Sequence, residues 1–266
     1  MHPQVNDGYE NNTIHPHYIQ FDEITDDHIA IYIDCTLNNI ANAKRVVRYI
    51  TYGSYWHPQY APNEITYYHH PFCKNNKTTQ FLTPTYWPPG LENKGLRRTQ
   101  TQCHILKKGW MDPAVRAAIS DPNADPDPNS EGSIDLNGLS HQQIIEVFNT
   151  TRQFYCFDPC CFLVTMALMC GCVVIQFPIR GCTAEEWIYT IGLQGLNGIA
   201  YGRTPETIAH AYATIDNARE DCMKFKLKNE ESVDKFIRDM ETGNYTTEPC
   251  YKFNDSPYSL QHLWKN

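Results

Sequence analysis

The stretch from Phe154 to Pro178 constrains the fold of this chain more than any other part of it. It reads as a strand (Phe154–Phe157), an Asp158-Pro159 step, an apolar helix, the turn Cys170-Gly171-Cys172 and a second strand (Val173–Phe177). An Asp before a Pro predicts a helix start, because the carboxylate accepts from free amides and Pro is preformed for the first helical position. Such a cap is worth about 1 kcal/mol. Gly171 supplies the stop, where the chain turns from helix to strand. The result is a βαβ unit whose helix N-terminus lies at the carboxyl ends of the strands, where α/β sheets bind ligands. Free amides and the helix dipole make that spot attractive to phosphate. A nucleotide-linked substrate is therefore expected around Asp158, Pro159, Cys160, Cys161 and Phe162, with the amides of Cys160 and Cys161 as diphosphate donors.

A membrane span is the rival reading of the same stretch. Cys161 to Phe177 is 17 residues without a charge, at the short edge of what crosses a bilayer. Asp158 and Arg180 bound it, Gly171 interrupts it, and its second half is rich in β-branched residues. A buried helix followed by a buried strand fits better, so no membrane span is expected.

The net charge of −8 and the lack of a lysine and arginine cluster argue against a nucleic-acid partner. With 266 residues, 41% hydrophobic and 20% charged, the chain has ample material for a buried core. Its start, Met1-His2-Pro3-Gln4, lacks a basic region followed by an apolar one, so a secretory signal is not expected. The eleven cysteines are odd in number and form no pair of Cys-x-x-Cys motifs, which argues for reduced thiols rather than a zinc site. A cytoplasmic location follows as the expectation.

Along the chain, residues 1–25 are expected as an irregular arm, 26–100 as a reduced N-terminal lobe, 101–242 as a C-terminal nucleotide-binding lobe and 243–266 as a tail. Strands are expected at Ile29–Asp34, Glu64–His69, Gln102–Lys107 and Asn197–Tyr201. Helices are expected at Ala41–Tyr52, Asp112–Ile119, His141–Asn149 (begun by Ser140), after Thr183, from Thr204 to about Met223, and at Glu231–Met240. Residues 83–100, with Pro84, Pro88, Pro89, Gly90 and Gly95, read as a crossing between lobes. Alternation of strands and helices indicates α/β architecture with parallel sheets.

The parts from Cys103 to Tyr201 resemble the C-terminal lobe of two-lobed (GT-B) glycosyltransferases. The segment Gly138-Leu139-Ser140-His141, a following helix and strand, and an acidic residue before an apolar helix ending Cys-Gly-Cys look like that family's donor-binding core. Many members carry two acidic residues eight positions apart; here Asp158 occupies the first position and Met166 the second. Further motifs, from Asn42 to Tyr49, Lys108-Gly109, Phe154 to Pro159, Gly181 to Trp187 and Gly198 to Gly202, are similar to a group of bacterial and giant-virus glycosyltransferases. Within that group they most resemble the middle domain of multidomain chlorovirus capsid-glycan enzymes. The resemblance implies two Rossmann-like lobes, a UDP-linked donor with a deoxyhexose such as L-rhamnose, an oligosaccharide acceptor, and partner domains in a larger polypeptide.

Candidate site residues follow from both lines. Asp158 is either a helix cap or a donor-site and catalytic residue. Lys107 and Lys108 follow a strand and are placed to neutralise a departing nucleoside diphosphate. Helix amides and lysine then replace a cation, so no metal or cofactor is expected; Asp125-Pro126-Asp127 sits in a Pro-rich loop. The resemblance implies that Glu186 touches a ribose or sugar hydroxyl and that Tyr201 borders the base. Tyr55, Trp56, His57 and His70 suit a sugar acceptor, since rings cover the apolar face of a pyranose. Asp34 and His69 or His70 are candidates for the general base that inversion would require. The alternatives from other classes are a noncatalytic nucleotide- or glycan-binding module and a Cys-His hydrolase using Cys160 or Cys161.

Overall fold

The Phe154–Pro178 stretch forms the expected strand–helix–strand unit in a computed structural model of the chain, which describes residues 24–33, 36, 38–51, 63–69, 80–106, 115, 132–179 and 181–247. Its strands are β6 (Thr151–Cys156) and β7 (Val173–Gln176), parallel, with Gln153 opposite Val173 and Cys156 opposite Gln176. Between them lies α2 (Leu163–Met169), every residue of which is buried. The helix ends at Gly171, whose φ is +72°; a Cβ there would meet Asn93 Nδ2 at 2.5 Å and Arg98 Nη2 at 2.9 Å. Only glycine suits both the left-handed backbone and the close approach.

The remaining strands are β1 (Ile29–Ile33), β2 (Arg45–Ile50), β3 (Ile65–Tyr68), β4 (Gln100–Ile105), β5 (Ile134–Asp135) and β8 (Ile199–Tyr201). Further helices among the described residues are α1 (His141–Thr150), α3 (Ala184–Ile191) and α4 (Pro205–Thr242). Among the described residues, β1, β2 and β3 make one parallel sheet in that order. The other five strands make a second parallel sheet in the order β5-β4-β6-β7-β8. The chain is therefore α/β with two all-parallel sheets. In the larger sheet the order reverses between β4 and β6, the place where doubly wound sheets open a crevice.

Successive strand residues point to opposite faces, and both faces of the larger sheet are buried. Phe154, Cys156 and Val174 pack with α1, α2 and α3 through Ile145, Phe148, Val164 and Trp187. Tyr155, Phe157, Val173 and Ile175 pack on the other face with Val115 and with Ala211 of α4. The smaller sheet has its own core, in which Val47, Ile65 and Tyr67 meet Val233, Phe236 and Met240 of α4. One helix thus contributes to both cores.

Two element expectations are corrected. Ala41–Tyr52 was expected as a helix; Arg45–Ile50 is instead the central strand of the smaller sheet. Asn39 turns the chain into it, accepting from Ala43 N at 3.0 Å and donating to Ala43 O at 2.7 Å, with Asn42 at φ +48°. Val46, Val47 and Ile50 are β-branched and buried, which favours a pleated surface with neighbours on both sides. The expected helices at Thr204–Met223 and Glu231–Met240 are one 38-residue helix capped by Thr204, with Pro205 in its first turn. The helix expected at Asp112–Ile119 lies outside the described residues apart from Val115, which is helical. Of residues 83–100, the expected crossing, 83–99 hold neither helix nor strand and connect the two sheets, while Gln100 begins β4.

Candidate functional site

Because every strand of a parallel sheet runs the same way, the segments that follow the strands gather at one edge. Here the carboxyl edges of both sheets border one cavity of about 330 Å³. Thr51 follows β2 and His69 follows β3; from the larger sheet come Cys160, Cys161 and Phe162 after β6, Thr165 of α2, and His141 at the start of α1. The crossing segment supplies a wall through Thr83, Pro84, Thr85 and Tyr86, and α4 supplies Phe225.

His69 is held from three sides. Its amide donates to Ile50 O at 2.8 Å, its carbonyl accepts from Thr83 Oγ1 at 2.7 Å, and its Nδ1 lies 2.5 Å from Tyr49 Oη. Burial holds the imidazole below its ordinary pKa, which favours the neutral ring, with one nitrogen protonated and the other an acceptor.

The segment after β6 has a different geometry from the one expected. Asp158 does not cap the helix and Pro159 is not its first residue: α2 begins at Leu163, with Phe162 at the cap position and no side-chain cap. Asp158, only 2% exposed, closes a short turn instead, its Oδ1 accepting from Cys160 N at 3.0 Å. An aspartate before proline that bonds the amide two residues on is a local alternative to a cap. The Cys160 amide, expected to donate to a diphosphate, donates here to Asp158. Pro159 O accepts from the indole of the fully buried Trp187 at 3.0 Å, which anchors the turn to α3. Phe162 stands edge-on to Trp87, ring centroids 5.5 Å apart.

Glu186 and Tyr201 have structural partners and are not among the described residues lining the cavity. Glu186 completes a capping box with Thr183, its Oε2 accepting from Thr183 N at 2.8 Å. The hydroxyl of Tyr201 accepts from Ile179 N and donates to Cys182 O, each at 2.8 Å, and its ring packs on Trp187. Burial pushes this phenol up to about 12. Asp34, Tyr55, Trp56, His57, His70, Lys107 and Lys108 lie outside the described residues, as does Asp125-Pro126-Asp127. Arg98 donates to the carbonyls of Phe148, Thr151 and Cys170, at the opposite ends of α1 and α2 from the cavity.

The eight described cysteines are free thiols. Burial raises Cys103 and Cys156 well above the usual thiol range and Cys170 and Cys222 to about 12, so these four behave as small core residues. Among the described residues no group of three or more His, Cys, Asp and Glu is arranged to hold a metal ion. No helix among them is long and apolar enough to cross a membrane.

Thr51, Thr83 to Tyr86 and Thr165 carry no local sign of a site, since only the pairing of the two sheets brings them together. His141 had a weak one, following the Ser140 cap within a motif that resembles a donor core. Searches against protein-family models, curated proteins and solved structures match nothing to this chain.

Proposed function

We propose that the chain is a glycosyltransferase of the two-lobed type, moving a sugar from a nucleoside-diphosphate donor, UDP-linked and with L-rhamnose as a candidate sugar, to a glycan hydroxyl in the cavity between the sheets. One observation carries the reading. The carboxyl edges of two parallel sheets face a common cavity lined by a neutral, half-buried histidine from the smaller sheet and by the post-β6 turn from the larger. Parallel sheets take nucleotides at that edge, and the histidine suits an acceptor hydroxyl. In this mechanism the acceptor oxygen attacks the anomeric carbon while His69 takes the hydroxyl proton. The bond from that carbon to the diphosphate oxygen breaks, and the nucleoside diphosphate leaves with the electron pair. As base, His69 carries its own proton on Nδ1, donated to Tyr49 Oη. Charge on the leaving group is assigned to Lys107 and Lys108, without a resident metal.

Thermal shift with UDP, GDP and their sugars tests the binding step. Ligand at a hundred times its Kd stabilises by about 2.7 kcal/mol, or roughly 5–10 °C in Tm for a chain of this size. Adding an oligosaccharide acceptor should release free nucleotide. His69→Ala should lower that turnover by about 10²–10⁴-fold and leave the thermal shift unchanged, whereas Asp158→Ala, which frees the turn, should weaken the shift. No stabilisation by any nucleotide sinks the proposal; stabilisation without turnover identifies a noncatalytic binding module. The cavity also brings Cys160 and Cys161 together with His69 and His141, so turnover that vanishes in the Cys160→Ser, Cys161→Ser double variant points to thiol chemistry instead.

A further inference from the structure

A larger cavity of about 700 Å³ adjoins the cleft, with Thr83 and Phe225 lining both. Its size falls within the range of small-molecule sites, about 300–1,000 Å³. Phe81, Ile188, Tyr189, Leu193, Leu196 and Phe225 make its walls apolar. The charged and polar side chains at its rim, Glu185, Gln194 and Lys228, are exposed, and the two charges oppose each other, favouring neither sign in a ligand.

The polar groups inside are mostly committed to the protein. Ser232 Oγ accepts from Thr83 N at 3.0 Å and donates to Asn229 O at 2.7 Å. Thr83 Oγ1 donates to His69 O, and Asn229 Nδ2 donates to Thr85 Oγ1 at 3.0 Å. Asn229 Oδ1 is the exception. The residue lines the cavity and is only 5% exposed, yet this oxygen accepts no hydrogen bond from the described residues. An acceptor with no protein donor gives a polar handle to a cavity whose walls are otherwise hydrocarbon and aromatic.

We propose that this cavity binds a neutral, largely hydrocarbon molecule carrying one hydrogen-bond donor, an apolar alcohol or amine, with the donor on Asn229 Oδ1. The apolar walls supply affinity by excluding water, and the asparagine fixes orientation. This site does not depend on sugar transfer.

The test uses the full chain and N-phenyl-1-naphthylamine, a neutral fluorescent probe with one N–H. Its emission should rise and saturate at one site. Gly195 lines the cavity, and a Cβ added there meets nothing within 4 Å, so Gly195→Phe is the variant chosen to fill the space. That variant should bind the probe at least about tenfold more weakly, and Gly195→Leu serves if the bulkier change does not fold. The N-methylated probe, lacking the donor, should bind the unaltered protein roughly five- to tenfold more weakly. A signal that never saturates, an affinity unmoved by filling the cavity, or equal binding of the two probes overturns the proposal. Nucleotide thermal shift, measured in parallel, reads the cleft separately, so either site can fail alone.

Discussion

At the scale of single residues, His69 couples the cleft to pH. Its folded-state pKa lies below the ordinary value of 6.5 because burial disfavours the charged ring. The unfolded chain therefore binds more protons between the two pKa values, and stability rises with pH across that window. Its contribution is fully present above the unfolded pKa of about 6.5 and is lost as pH falls towards the folded pKa. Thermal midpoints at pH 7.5 and 5.5 should show this loss in the native chain and a smaller loss in His69→Gln; equal losses would remove His69 as the cause. The sequence marked His69, with His70 and Asp34, as a candidate base. Nothing in it marked Thr51 or Thr83, which reach the same cavity only through packing between sheets. Asp158 was legible as important and misread in role, since an Asp-Pro step serves a cap and a short turn equally well, and the two differ by where the helix begins.

Among the elements, α4 does the most to organise the molecule. Its first half packs on the larger sheet through Ala211, Ala218 and Cys222, and its second half on the smaller one through Phe236 and Met240. Near its end, Asp239 accepts from the Tyr67 hydroxyl at 2.8 Å and pairs with Lys235. Desolvation, then that hydrogen bond and the nearby carboxylate charge, raise the Tyr67 pKa far above the usual phenol range. Tyr67→Phe should cost about 1–2 kcal/mol, read as a lower urea midpoint; an unchanged midpoint would show that the bond contributes nothing. The helix was legible in its Thr204-Pro205-Glu206 start but not in its length, because the polar run between Lys224 and Glu231 hides the continuity. The helical reading of Ala41–Tyr52 failed for a related reason. Val46, Val47 and Ile50 fit either period over so short a span, and burial in a central strand decides.

For the molecule as a whole, the shared helix predicts one unfolding unit rather than two. Arg48 tests this from the far side of the smaller sheet. It is 1% exposed, pairs with Glu64 through two hydrogen bonds of 2.7 and 2.9 Å, and donates to Thr36 O. Arg48→Met leaves Glu64 as an uncompensated buried charge, which costs about 3–5 kcal/mol. Hydrogen exchange should then show amides of β6 and β7 losing protection by as much as those of β1 to β3. Loss confined to the smaller sheet would mean that the two cores melt apart. Sequence alone indicated parallel sheets but missed the central strand of the smaller one, and no stretch of it announces that one helix would serve both.

That helix, about 57 Å long at 1.5 Å per residue over its 38 residues, acts as a splint fastened at both ends. Two jaws joined only by a loop can swing; two jaws riveted to one rod cannot close without bending or peeling the rod. A swing of one half against the other is therefore resisted by the rod itself.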